Sequence, residues 1–419
     1  MKAESPNTLL WAILTGIMSG TILGGTLPEA GHSVAFLGEL FLKALFVLVV
    51  PLVMSSIIVG VTSLGDVRRL GPLGGRAVLY FMTTTGIAVV IGLVLVLLIQ
   101  PGTPGSAESP AGDMSSVSER LEDKPDSVPE LLRTILTGLI PKNLFSAMAN
   151  ADVLPLIIFS LVFGGILTTV GERGRLVIQV VEGVNEAIMA MVHLLMWAAP
   201  VGIGALIAGR LGEAGGFSGF WPQLVQLGAY AGTVILGLLI HGLIVIPLLL
   251  HFIGKQNVFT YARNIGTALT TAFSTSSSSA TLPLTMEAVI EENRISPRTA
   301  RFVLPVGATI NMDGTALYEA VAAVFIAQSY GIELGFTQTV IIVLTATLAA
   351  VGAAGIPEAG LVTMVIVLKS VNLPIEGIAL ILVIDWFLDR CRTTVNVWGD
   401  AAGSAVIDRL ENKARGGSG

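Results

Sequence analysis

The residues best equipped for chemistry crowd into one stretch, Asp385–Asp400, which reads DWFLDRCRTTVNVWGD. Three aspartates and two arginines follow directly on the apolar run Ile378–Ile384. At the centre of a bilayer each such residue costs roughly 2.5–3.5 kcal/mol. Their spacing offers a reason. Asp385, Asp389, Arg392, Asn396 and Asp400 recur every three or four residues, which keeps them within a helical stripe of roughly 80°. Thr393 falls at the edge of that stripe, and Arg390 points well off it. A polar stripe on an apolar helix faces protein or a watery cavity, not lipid. It suits a structural ion-pair seam. With an amide and a hydroxyl set among both charge signs, it also suits a zwitterion accompanied by cations.

Three further motifs carry usable groups. In NMDGT, Asn311–Thr315, a continuous helix would aim Asn311 and Asp313 about 160° apart. Gly314 makes local unwinding cheap. Unwound backbone frees carbonyls at Gly307, Asn311 and their neighbours. Together with Asp313, Asn396 and Asp400 these make an all-oxygen cage for a hard monovalent cation. The alternative is a hinge whose aspartate caps a broken helix. Thr83, Thr84 and Thr85 could add hydroxyls, although threonines inside spans often bond back to their own helix. The run STSSSSAT, Ser274–Thr281, offers donors and backbone N–H groups to a carboxylate. Arg392 offers a planar fork to a second carboxylate, and Asp389 is a natural counter-charge for an ammonium. Two carboxylate sites and one ammonium site describe an acidic amino acid.

These groups need elements to hold them. The 419 residues are 53% hydrophobic and 12% charged, where a soluble domain carries roughly twice that charge. With a mean hydropathy of +0.82, the chain reads as an all-α, multi-spanning protein whose solvent is the lipid bilayer. Its 48 glycines suit helices packed through small residues. The single cysteine, Cys391, excludes an internal disulfide and a cysteine-based metal site. His32, His193, His241 and His251 lack metal-ligand spacing, and no cofactor is expected beyond coupling ions. The serines have no His or Lys base within motif distance, and no motif binds a nucleotide, so neither an enzyme nor a nucleic-acid partner is expected. The first apolar segment lacks the basic flank of a cleavable signal, and the terminal GGSG reads as an appended scar.

Apolar spans are expected at Thr8–Leu27, Leu37–Leu64 with Pro51 inside, Ala77–Ile99, Leu176–Ala208 and Leu224–Phe252. A segmented span over Pro129–Val170 is broken at Gly138, Pro141 and Pro155. Arg68, Arg69 and Arg76 place the second loop, and with it the N-terminus, in the cytoplasm. The acidic stretch from Gln100 to Val128 and the loop Arg210–Pro222 fall outside. Asn257–Asn293 has basic residues at both ends and the serine run at its middle, so it enters and leaves on one side as a re-entrant hairpin. Phe302–Ile326 crosses. Phe336–Leu368, broken at GAAGIPEAG (Gly352–Gly360), must be a second hairpin if Ile375–Leu410 is to return a basic C-terminus to the cytoplasm. Hairpin and span, repeated with opposite sense, point to an inverted-repeat carrier with a midplane site.

At this point a family resemblance enters. SSSSATLP (Ser276–Pro283), NMDGTALYEA (Asn311–Ala320), GAAGIPEAGLVTMVIVL (Gly352–Leu368) and DWFLDRCRTTVNVWGD resemble the glutamate/aspartate transporters, the dicarboxylate/amino acid:cation symporters. YFMTTTGIAVVIGL (Tyr80–Leu93) extends the match into the first half. The resemblance implies eight transmembrane helices plus two re-entrant hairpins, in a homotrimer working as an elevator in the cell inner (plasma) membrane. Scaffold helices would occupy 1–75 and 128–222, with an external loop at 101–127. The transport unit would take 76–100 and 223–419, its hairpins at 257–293 and 336–368.

The resemblance also implies site residues. Arg392 and Thr315 match positions that hold the substrate's side-chain carboxylate, and Asp389 and Thr393 those at its amino group. Asn396 with the hairpin tip Ser276, Ser277 and Ser278 matches the α-carboxylate site. Gly355, Ile356, Pro357 and Gly360 match an external gate. For sodium, Gly307, Asn311, Asn396 and Asp400 match one site, and Phe81, Thr84, Thr85, Asn311 and Asp313 another. Thr309 with Ala350, Val351 and Ala353 matches a third. Archaeal members resemble this chain but carry arginine where it has Ser276 and glutamine where it has Glu319. Arg390 and Glu319 are instead as in the animal excitatory transporters, so the pattern implies a prokaryotic member close to the animal branch. Glu319 is then expected to carry a proton with substrate, with potassium returning the empty carrier. A structural Glu319–Arg390 pair is the bland alternative. A neutral amino acid carrier is opposed by Arg392, and a C4-dicarboxylate carrier by Asp389.

Overall fold

Among the residues that the computed structural model describes, 6–63, 71–104, 140–150, 153–352 and 359–416, every regular element is a helix. Ala353, Gly355, Ile356 and Pro357, expected at a cation site and a gate, lie outside them. So do Arg68, Arg69 and nearly all of 101–127.

Prolines and glycines set the helix ends. α1 (Pro6–Thr26) and α2 (Pro28–Ser63) are parted by Leu27 alone, since Pro28 opens a helix readily. Pro51 lies inside α2 without ending it. α3 (Gly71–Ile99) is followed by the short α4 (Leu144–Asn150) and by α5 (Val153–Leu167), which starts two residues before Pro155. The single span expected over Leu176–Ala208 is two helices, α6 (Glu172–Met196) and α7 (Ala199–Glu213). Pro200, at the start of α7, has no N–H to continue the ladder, so the chain turns at Trp197–Ala198.

The expected loop Arg210–Pro222 shrinks to Ala214–Gly216. Gly215 and Gly216, at φ +75° and +90°, reverse the chain there, and α8 begins at Phe217 and runs to Ile240. A π turn, His241–Val245, joins α8 to α9 (Ile246–Phe252).

The serine-rich segment folds as α10 (Val258–Asn264), α11 (Gly266–Thr275) and α12 (Ser278–Glu287), with α11 and α12 packed together. Ser276 takes a left-handed conformation at φ +51°, and Ser277 caps α12 by accepting the Ala280 N–H at 3.1 Å. α13 (Pro297–Ile310) and α14 (Asp313–Ser329) are interrupted only at Asn311–Met312. α15 (Phe336–Gly352), α16 (Ala359–Ser370) and α17 (Ile378–Gly416) complete the chain.

Two groups of helices form. In one, α1 and α2 pack on α7, and α2 also meets α5 and α6. Gly16, Gly20 and Gly24 line one face of α1. A Cβ on each would lie 2.1, 2.0 and 2.3 Å from backbone carbonyl oxygens of Pro200, Gly204 and Ala208, so only glycine permits this approach. In the other, α14 is the axis, with 16 of its 17 residues buried. α3, α8, α15, α16 and α17 surround it, and α11 and α13 lie against α17.

Polarity runs inside out. Leu40, Val47, Leu79, Leu98, Leu243 and Phe259 are exposed, while Asp313, Glu319, Asp385, Asp389, Arg392 and Asp400 are buried. A water-soluble domain does the reverse. Among the described residues, Pro72–Ile99, Trp221–Phe252 and Pro297–Ser329 are long and apolar enough to cross a membrane.

Candidate functional site

The polar stripe of α17 meets the α13–α14 break at the buried centre of the second group. Asn311 and Asp313 are both fully buried there. The expected unwinding is confined to Asn311 and Met312, and Gly314 itself is helical. What it supplies is closeness: a Cβ there would lie 2.7 Å from the Arg392 carbonyl oxygen and 2.9 Å from its Cα. That contact brings α14 against α17 and lets the Gly314 N–H donate to Asn396 Oδ1 at 2.8 Å.

Arg392 is fully buried and saturated with anionic and aromatic neighbours. Its Nη2 donates to Asp389 Oδ1 at 2.8 Å, and its Nη1 lies 3.0 Å from Asp385 Oδ1. The guanidinium carbon sits 3.8 Å from the centre of the Tyr318 ring, a cation–π distance. Arg392 Nε has no hydrogen-bond partner among the described residues. A Cβ at Gly360 would sit 3.1 Å from Arg392 Nη1 and 3.3 Å from Thr315 Cγ2, which puts α16 directly over the guanidinium. Asn396 Nδ2 reaches Thr315 Oγ1 at 3.3 Å. Arg392, Asp389, Thr315, Asn396 and Gly360 are thus brought together, with Thr393 buried on the same helix. Asp385 and Tyr318 join them. The spacing of the stripe already placed Asp385 there, while Tyr318 gave no signal.

The cation-site residues also converge. Asn311 Nδ2 donates to Asp400 Oδ1 at 2.9 Å and to the Asn396 carbonyl at 3.2 Å. Gly307 has no side chain to block Asp400: a Cβ there would lie 2.4 Å from its Oδ1. Thr85 donates to Asp313 Oδ1 at 2.6 Å, and Thr84 reaches the same oxygen at 3.3 Å and the Phe81 carbonyl at 3.1 Å. Thr83 bonds back to Leu79 and points away. Thr309 bonds back to Pro305 and Val306, and Ala350 is buried on α15, a helix that packs against α13.

Two residues have partners that the sequence did not foretell. Arg390 does not meet Glu319. Its Nη1 donates to the carbonyls of Phe273 (2.9 Å) and Ser274 (2.6 Å), capping the end of α11 beside the Ser276 tip. Glu319 is fully buried and instead accepts the hydroxyl of Thr363 on α16; its Oε2 has no hydrogen-bond partner among the described residues. The ion-pair alternative for these two residues therefore falls. The other is His241, whose Nε2 lies 2.9 Å from Asp313 Oδ2. It lacks metal-ligand spacing, but a histidine in the apolar run Gly237–Ile246 was itself a signal, because ionisable groups inside spans are costly to keep there.

The class of molecule is now legible: an all-helical, multi-pass membrane protein with a charged, oxygen-rich centre enclosed by interrupted helices. Residues 9–410 match the sodium:dicarboxylate symporter family, and the chain belongs to that family, whose members are transporters rather than enzymes. It is 42% identical over 427 residues to excitatory amino acid transporter 1 of Ambystoma tigrinum, covering 90% of this chain and 77% of that one. It is 42% identical over 451 residues to human excitatory amino acid transporter 3, covering 96% and 84%. Human neutral amino acid transporter B(0) is 38% identical over 450 residues, covering 97% and 82%.

Proposed function

We propose that this chain is a secondary active transporter that carries L-glutamate or L-aspartate by symport with sodium. One observation carries the reading. Asp313, Glu319, Asp385, Asp389 and Asp400 put five carboxyl groups in the buried centre against the single guanidinium of Arg392. Uncompensated buried charge is prohibitive, so such a centre calls for bound cations. Sodium suits the carbonyl, carboxylate, amide and hydroxyl oxygens around Asn311, Asp313, Asn396 and Asp400.

For the substrate, Arg392 with Thr315 takes the side-chain carboxylate, leaving Asp385 or Asp389 as it does so. Asp389 with Thr393 takes the ammonium. Asn396 with the Ser276–Ser278 tip takes the α-carboxylate. Glu319 carries a proton, and the empty carrier returns with potassium. The likeness to a neutral amino acid transporter supports a second reading, but a fully buried guanidinium beside Thr315 and Gly360 suits a substrate with a second carboxylate and argues for the acidic one.

The family likeness and the two-group packing support the architecture of eight crossings and two hairpins, α10–α12 and α15–α16. The group around α14 moves as an elevator against α1, α2 and α5–α7. The family likeness supports a homotrimer in the plasma membrane, and the exposed apolar side chains of α6, Leu176, Val180, Met191 and Leu194, suit a bilayer. Arg76 beside Glu411 puts the start of α3 and the end of α17 on one face, in accord with cytoplasmic termini.

The test is uptake of radiolabelled L-aspartate and L-glutamate into proteoliposomes, with external sodium and internal potassium varied separately. Sodium-dependent uptake of both is expected, and its loss in Arg392→Ala. Uptake indifferent to sodium overturns the reading.

A further inference from the structure

α8 and α14 run antiparallel at their contact, and a buried histidine–aspartate pair lies at its end. Gly237 of α8 meets Leu317 of α14: a Cβ on that glycine would lie 3.1 Å from a Leu317 methyl. Four residues on along α8 and four back along α14, His241 meets Asp313. The height of His241 beside Asp313 is therefore set by helix packing. Its orientation is fixed just beyond, where the π turn His241–Val245 opens. A π turn spoils the regular hydrogen-bond ladder and persists where other contacts support it. Here Trp398 Nε1 on α17 donates to the Gly242 carbonyl at 2.8 Å, tying the turn to the helix that carries Asp400.

His241 is fully buried, and its Nε2 donates to Asp313 Oδ2 at 2.9 Å. Thr84 and Thr85 occupy the other oxygen, Oδ1. The ring nitrogen that faces Asp313 is used in this bond, so Nε2 is not itself a cation ligand. Nδ1 has no hydrogen-bond partner among the described residues.

We propose that His241 is a positioning residue for the cation site at Asp313. By holding Oδ2, it fixes the plane of the carboxylate and keeps Oδ1 turned to Thr84 and Thr85 of α3. The inference rests on the sodium-symport reading and adds a residue to it. A group that orients a metal-binding carboxylate is worth about 10–100-fold in cation affinity. His241 touches no part of the substrate site around Arg392, so its effect falls on the ion and not on the amino acid.

The deciding comparison is His241→Gln, which keeps an N–H donor, against His241→Met, of similar length without one. The readout is sodium titration of the purified chain followed by its melting temperature, which requires neither transport nor substrate. His241→Gln is expected to half-saturate within about threefold of the unaltered chain, and His241→Met to need about 10–100-fold more sodium. L-aspartate affinity at saturating sodium should be the same in all three. Equal shifts in the two variants, or none in either, overturn the inference while leaving sodium symport intact. A Met variant that fails to fold where Gln folds also overturns it, because the donor then serves the fold. If the unaltered chain shows no sodium-dependent stabilisation, the symport reading and the inference fall together.

Discussion

Thr85 and Asp313, 228 residues apart in the chain, are joined by a 2.6 Å hydrogen bond in which the threonine hydroxyl donates to the carboxylate. The bond fastens α3 to the first turn of α14. Thr85→Val keeps the shape and removes the donor. Sodium-dependent uptake should then need roughly tenfold more sodium for half-saturation, with the substrate's half-saturation unchanged at high sodium. An unaltered sodium curve would remove Thr85 from the ion site.

At Gly314, α14 lies against the backbone of α17. In Gly314→Ala the new methyl would lie within 3 Å of the Arg392 backbone, which cannot swing aside as a side chain can. Overpacking of this kind costs about 1–3 kcal/mol. The measurement is the melting temperature in detergent, expected to fall, together with weakened aspartate binding because Arg392 moves.

Arg390 holds the end of α11 by two carbonyls. Arg390→Met should free them and loosen the last turn before Ser276 by roughly 0.3–1 kcal/mol. Hydrogen exchange at the amides of 272–277 reads this directly and should quicken a few-fold. Exchange at Glu319, with which Arg390 makes no contact, should stay as it is.

Glu319→Gln retains an oxygen to accept from Thr363, so the fold should survive. Uptake by this variant should lose its dependence on pH and its stimulation by internal potassium. Persistence of both would return Glu319 to a structural role.

Periodicity made α17 legible before any coordinates. Polar residues every three or four positions in an apolar run define a buried stripe, and the stripe lies where that spacing puts it. The Asn311–Met312 break and the serine tip were legible too, because an Asn-Met-Asp-Gly sequence and a run of serines interrupt apolar helices in recognisable ways. Contacts between distant helices were not legible. His241 meets Asp313 across 72 residues, and nothing in either local sequence pairs them. Arg390 was read as standing in for the arginine that archaeal members carry at the Ser276 tip, and it lies beside that tip, but the α11 carbonyls that it caps have no side-chain signature. The Arg210–Pro222 loop was drawn as the gap between two apolar spans, though the chain reverses at Gly215–Gly216 alone. The π turn at His241 leaves no mark in composition at all.

The two aspartates that hold Arg392 have one last consequence for the proposed return of the carrier without its amino acid. A lone guanidinium would oppose that return journey, since moving it through hydrocarbon without an anion is prohibitive. With Asp385 and Asp389 as standing escorts, the positive charge is more than offset, and the group is left one negative charge in excess. In the proposed carrier the incoming amino acid would then replace a partner instead of supplying a missing one, and the unloaded trip would call for a cation, never for an anion.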